Sequence, residues 1–165
     1  MVTGYLPSAA RNMGQTDQLS HDDRYDVADE YLEVLYKLWE GSWEDDAVVE
    51  DRETGVFTDP AKVHPIEHHG THFDVPGIHL SEPSVQRSPV IYQAGASPRG
   101  IRFAAENAEA VFVGAPTVEQ LAVTVGKVRD ALEAAGPRRG SRACSTSSTG
   151  SPRPGRRSCS RPGRT

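Results

Sequence analysis

Between positions 20 and 40 the apolar residues Ala28, Tyr31, Leu32, Leu35, Leu38 and Trp39 recur at helical spacing, with polar residues between them. The pattern predicts one long amphipathic helix. Ser20 followed three residues later by Asp23 resembles a capping box with Asp in place of Glu or Gln, and Asp22, Asp23 and Asp26 suit the positive end of the helix dipole. From 41 to 88 no period is sustained. Gly, Pro, His and acidic residues prevail there, and only 47–49, 72–75 and 78–80 look extended. A stretch of that length within a compact domain is expected to be an insertion, either functional or folded into small hairpins.

Regular pattern returns at Pro89. Residues 90–94 form a short apolar run with β-branched and aromatic side chains, which predicts a buried strand. Gly95-Ala96-Ser97-Pro98 follows, where Ser97 is a natural N-cap and Pro98 a natural first helical residue, so a helix should run to about Asn107. Residues 110–113 predict a second buried strand. Thr117 with Gln120 then opens a helix that carries Val118, Leu121, Val125, Val128 and Leu132 on one face until Gly136 and Pro137 stop it. This β-α-β-α order predicts an α/β fold with a parallel sheet and right-handed crossovers, and residues 1–4 offer the end of one more strand. Two or three strands with three helices cannot close an eight-stranded barrel, so the pattern is that of a piece of something larger.

Charge divides the chain in two. The last 29 residues hold eight arginines and no acidic residue, whereas all 23 acidic residues and only ten of the 18 basic ones lie in positions 1–136, giving that part about -13. Positions 137–165 consist mainly of Arg, Ser, Pro, Gly and Thr, with too little apolar surface to offset chain entropy, and are expected to be a disordered tail. An arginine-rich arm can bind nucleic acid by counterion release, but this one lacks aromatic residues for base stacking and adjoins an acidic body. The expectation is a solvated tail, or read-through in a shifted frame, and no nucleic-acid partner. Cys144 and Cys159 both fall within it, where they staple no core and have no metal-ligand neighbours. No apolar run approaches the length of a membrane span and no export signal follows Met1, so a cytoplasmic protein is expected.

Three groups of residues carry candidate chemistry. The loop Gly95-Ala96-Ser97-Pro98-Arg99-Gly100, between a strand and a helix start, would converge free amides, the Ser97 hydroxyl, the helix dipole and Arg99 on an anion such as a phosphate, although Ser-Pro after a strand is also an ordinary cap. His64, His68 and His72 are spaced by four, as in a helical metal site, but Pro65 and Gly70 interrupt that span, and with His69 and His79 they are expected to be solvated or hairpin histidines without a metal. His21 and Tyr25 lie one helical turn apart, where ring and hydroxyl would grip a ligand, or would serve as a capping histidine and a core tyrosine. There is no Gly-x-Ser-x-Gly elbow, Walker phosphate loop or Gly-x-Gly-x-x-Gly fingerprint.

The ordered blocks Tyr5 to Gly14, His21-Asp22-Asp23-Arg24-Tyr25-Asp26, Tyr31 to Trp39, His79-Leu80-Ser81-Glu82-Pro83-Ser84 and Val90 to Ser97 resemble the bacterial-luciferase-like flavin monooxygenases, specifically the group of nitrilotriacetate monooxygenase component A and dibenzothiophene-sulfone monooxygenase. The resemblance covers about positions 2–136. It implies a partial (β/α)8 TIM barrel over 1–136, with 41–88 as its irregular insertion. It further implies reduced FMN supplied by a separate NADH-dependent flavin reductase, O2 as co-substrate, oxidation of a small organic substrate through a flavin C4a-peroxide, and homo-oligomers in the family. By motif it assigns Ser97, with Ala96 beside it, to the FMN phosphate and His21 and Tyr25 to flavin contacts, and it places Asn12 and Thr3 near the flavin; no catalytic acid or base is identified. The family usually has Ser where Gly4 stands, and the other barrel strands have no counterpart in these residues. A truncated, non-catalytic remnant with weak or no flavin binding therefore stands as the alternative.

Overall fold

A computed structural model describes residues 1–136. The expected tail at 137–165, with both cysteines, lies outside the described residues. The chain opens with an extended segment and a short helix, α1 (Pro7–Asn12), which the helical pattern did not announce; Pro7 at its first turn is the local signal. α2 (His21–Tyr36) is the long helix expected, with Ser20 Oγ accepting the Asp23 amide at 3.3 Å, and its last turn widens into a π turn at Lys37–Gly41.

Residues 41–88 hold two antiparallel hairpins: β1 (Val48–Asp51) with β2 (Val56–Thr58), and β3 (His68–His69) with β4 (Asp74–Val75). Of the three extended segments expected there, 78–80 forms no strand. Backbone atoms seat this region on the helices. The buried Ser42 hydroxyl donates to the His64 carbonyl at 3.1 Å and accepts the His79 amide at 2.8 Å, and Trp43 Nε1 donates to the His79 carbonyl at 2.8 Å. The Glu30 carboxylate, on α2, accepts the consecutive amides of Thr71, His72 and Phe73 at 2.8–3.1 Å. Burial opposes the charge on Glu30, but the amides of His72 and Phe73 and the ring of His68 outweigh it, lowering its pKa from 4.5 to about 2.

The second half follows the expected β-α-β-α order: β5 (Tyr92–Ala94), α3 (Pro98–Asn107), β6 (Ala110–Phe112) and α4 (Val118–Ala135). β5 and β6 pair in parallel, Tyr92 opposite Ala110 and Ala94 opposite Phe112. The Met1 nitrogen donates to the Tyr92 carbonyl and the Ala94 amide donates to the Met1 carbonyl, a parallel bridge that makes the first residues a neighbour of β5 on its other side. Tyr25, Ala28 and Leu32 of α2 pack on Phe103 of α3 to form the core, which Met1, Leu35, Tyr36 and Ile91 border. Leu32 and Phe103 are fully buried, and each such side chain contributes roughly 1.5–3 kcal/mol of transfer free energy.

Two expectations need correction. β5 and β6 are covered on one face only, by the helices on the side of Gln93; on the other, Tyr92 and Phe112 are 50% and 66% exposed, with ring centroids 5.8 Å apart. An apolar run shows that a strand can be buried on both sides, but not whether both covering layers are within the described residues. The apolar face of α4 is likewise only partly covered. Val125, Val128 and Leu132 border a groove against Val111 and Val113, and no residue of α4 is buried.

Candidate functional site: the corner between β5 and α3

The loop that leaves β5 turns at Gly95, whose φ of +144° disfavours a side chain, and enters α3 through Ser97. The Ser97 hydroxyl accepts the Gly100 amide at 3.0 Å, so it is an N-cap, as the sequence predicted. The amides of Ala96 and Ser97 make no hydrogen bond among the described residues, and they stand at the positive end of the α3 dipole.

The corner faces α2. Tyr25, buried to 3%, directs its hydroxyl between the two glycines that flank Ser97: a Cβ on Gly95 would lie 3.1 Å from it, and a Cβ on Gly100 only 2.6 Å from it and 3.0 Å from Ser97 Oγ. The Tyr25 ring packs on Phe103 at 5.5 Å and on His21 at 5.2 Å, so it is a core tyrosine whose hydroxyl reaches the corner. His21 is exposed at the first turn of α2 and its Nδ1 lies 2.6 Å from Asp22. His21, Tyr25, Ala96 and Ser97 are thus brought together. Asn12 and Thr3 are not part of this group. Asn12 is exposed at the end of α1, and Thr3 borders an apolar groove of about 390 Å³ shared with Leu6, Ala10, Val27 and Phe73.

Arg99 departs from the anion-binding role considered for it. Its guanidinium turns back onto α2, bonding Asp26 at 2.9 Å and Asp29 at 2.5 Å and lying 5.5 Å from the centroid of the Tyr25 ring. The carboxylates of the first turns of α2 attract it more strongly than a solvent-facing corner would, and in pairing with them it offsets negative charge that would oppose an anion at Ser97. The sequence reasoning also missed Gln93. This fully buried amide donates from Nε2 to the Tyr25 hydroxyl at 3.3 Å and to the Ala94 carbonyl at 3.1 Å. A polar residue in the middle of an apolar strand was the signal available.

The five histidines of 64–79 do not converge. His64 meets Glu44 at 2.8 Å, His69 meets Asp74 at 2.7 Å, His79 meets the Ser81 carbonyl, and the buried His68 lies between Glu30 at 3.2 Å and Lys37 at 2.9 Å. Among the described residues no group of three or more potential ligands is placed to hold a metal ion, and no helix is long and apolar enough to cross a membrane.

A strand, a Ser-capped helix start and a preceding helix that packs onto that start are the parts of a βα-barrel unit, with the Ser97 corner at the C-terminal end of its strand. The luciferase-like monooxygenase family matches residues 1–153, and the chain belongs to that family. It is 58% identical over 141 residues to dimethyl-sulfide monooxygenase of Hyphomicrobium sulfonivorans, covering 86% of this chain and 29% of that protein. It is 60% identical over 129 residues to long-chain alkane monooxygenase of Geobacillus thermodenitrificans (strain NG80-2), covering 78% and 29%. Nitrilotriacetate monooxygenase component A of Aminobacter aminovorans is 40% identical over 119 residues, 72% of this chain and 26% of that one. Among solved structures, long-chain alkane monooxygenase superposes with a TM-score of 0.76 at 57% identity over 82% of this chain and 31% of that one. A riboflavin lyase solved with modified FMN and riboflavin superposes with a TM-score of 0.69 at 42% identity over 76% and 28%. The fold is therefore part of a luciferase-like barrel, and the chain spans about 29% of the length of the first two relatives.

Proposed function

We propose that these residues are the phosphate-binding side of a flavin site in the oxygenase component of a two-component, FMNH2-dependent monooxygenase that oxidises a small organic substrate with O2. The observation that carries this reading is the corner itself: Ser97 caps α3, the Ala96 and Ser97 amides make no hydrogen bond among the described residues, and the Tyr25 hydroxyl approaches between Gly95 and Gly100. An N-terminal helix corner with a hydroxyl, free amides and a phenol suits a dianionic phosphate, and the names of the relatives support monooxygenase chemistry. The riboflavin lyase solved with modified FMN supports a flavin as the group whose phosphate is held, and the component name of the nitrilotriacetate enzyme supports a separate partner, which we read as an NADH-dependent flavin reductase.

In this reading Ser97 and the amides of Ala96 and Ser97 bind the terminal phosphate, and Tyr25 adds a hydrogen bond from below. His21, exposed one turn away, offers a ring edge to the rest of the ligand. Reduced FMN, when bound, supplies the activation of O2. Arg99 holds α2 and α3 together so that these donors are already placed before the ligand arrives. Thr3 and Asn12 would reach the flavin only through parts of the site not built at this corner.

Titration of the chain with FMN, and anaerobically with FMNH2, followed by flavin fluorescence, tests this directly. Saturable binding that Ser97→Ala weakens is expected. Absence of binding to either form would overturn the activity reading and leave the alternative, a remnant that holds flavin weakly or not at all. That alternative is favoured by the open face at Tyr92 and Phe112.

A further inference from the structure

We infer that Gln93 is a positioning residue that aims the Tyr25 proton at the Ser97 corner. This deepens the flavin-phosphate reading above and rests on it.

The Ala94 carbonyl, 3.1 Å from the Gln93 amide, can only accept, so the nitrogen of that amide must face it and the oxygen must point away. The same nitrogen lies 3.3 Å from the Tyr25 hydroxyl. The phenol oxygen therefore accepts from Gln93, and its own proton has to be donated elsewhere. Among the described residues no acceptor takes it, and the hydroxyl stands between Gly95 and Gly100, the two residues whose missing side chains leave room beside Ser97. A phenol fixed in this way presents a donor to an anion at the corner and never its lone pair.

Packing alone does not account for this side chain. Gln93 is fully buried and its Oε1 has no partner among the described residues, so an apolar side chain of equal length would fill the space without leaving a desolvated oxygen unpaired. What the amide adds, and an apolar residue would not, is control of the hydroxyl rotor. Without it the phenol proton is free to rotate away, and part of the hydrogen bond to the phosphate is lost to rotor freedom and to competing orientations.

FMN and riboflavin differ only in the terminal phosphate, so the ratio of their affinities isolates the corner. We would measure both by fluorescence titration on the full chain, on Gln93→Met and Gln93→Leu, and on each of these combined with Tyr25→Phe. Methionine keeps the length and removes the donor, while leucine removes the donor with a branched apolar side chain and adds no charge beside the phosphate; having two variants keeps the test open if one fails to fold. The expected result is a preference for FMN in the wild type that falls roughly tenfold in either variant, with riboflavin affinity unchanged and with no further loss when Tyr25 is already phenylalanine. An unchanged preference in folded variants, an equal fall for both flavins, or the same loss in the Tyr25→Phe background would overturn the role of Gln93 while leaving the flavin site standing. A wild type that does not prefer FMN over riboflavin would remove the phosphate site, and this role with it.

Discussion

The Tyr25 hydroxyl occupies the place beside Gly100 that a methyl group would need: a Cβ there would sit 2.6 Å from the phenol oxygen and 3.2 Å from the ring carbon that bears it. Gly100 lies in the first turn of α3, where alanine would ordinarily add up to about 1 kcal/mol of helix stability. Overlap with a rigid, buried ring outweighs that gain.

Gly100→Ala is accordingly expected to destabilise the chain by about 1–3 kcal/mol, the range for inserting a methyl into filled space. Gly126, in the interior of α4 with nothing within 4 Å of its missing Cβ, is the control, and Gly126→Ala should stabilise by up to about 1 kcal/mol. Denaturant midpoints of the two variants should move in opposite directions; movement in the same direction would mean that Tyr25 is not held against Gly100.

Ser97→Ala should have two separable effects. Loss of the cap on α3 costs about 1 kcal/mol, read from the melting midpoint. If Ser97 also holds the phosphate, FMN affinity should fall by more than riboflavin affinity, whereas a cap alone would lower both by the same factor.

Arg99→Lys should weaken the joint between α2 and α3 even though it conserves charge. A lysine cannot reach Asp26 and Asp29 with one planar group and lie over the Tyr25 ring as well, and a loss of about 1–2 kcal/mol is expected. If the Ser97 corner holds a flavin phosphate as proposed, flavin affinity should fall along with stability. A variant as stable as the wild type would show that the ion pairs contribute little.

The Glu30 carboxylate should make stability depend on acid. Its folded pKa of about 2 lies below the ordinary 4.5, so its contribution is whole above about pH 4.5 and drains away as the pH falls toward 2. Wild type should exceed Glu30→Gln in stability at pH 6, and the gap should close by pH 2. In parallel, hydrogen exchange at Thr71, His72 and Phe73 should accelerate in the variant. A gap that stays constant over that range would count against the charge as the anchor.

Local rules made much of the fold legible. Ser20, Ser97 and Thr117 each cap the helix that the pattern assigned to them, because a hydroxyl three residues ahead of an amide is a short-range signal. The seating of 41–88 was less legible, since Ser42, which holds His64 and His79, and Glu30, which holds the 68–75 hairpin, act across 22 to 43 residues and bind backbone groups that carry no side-chain pattern. At the corner, Ser97 and Tyr25 could be singled out from motif and spacing. The turn of Arg99 onto Asp26 and Asp29 could not, because it depends on how two helices far apart in sequence come to lie side by side. Gln93 stood out as a polar residue in an apolar run, but its pairing with Tyr25, 68 residues away, could not be read for the same reason.

Glu30 grips the tip at 71–73 through main-chain nitrogens, which every residue except proline supplies alike. A mount of that sort is indifferent to the amino acids it carries. Substitutions at Thr71 or His72 can therefore recast the outer rim of this protein while its seating on α2 stays as it is, leaving evolution or an engineer free to vary the rim without reworking the corner at Ser97.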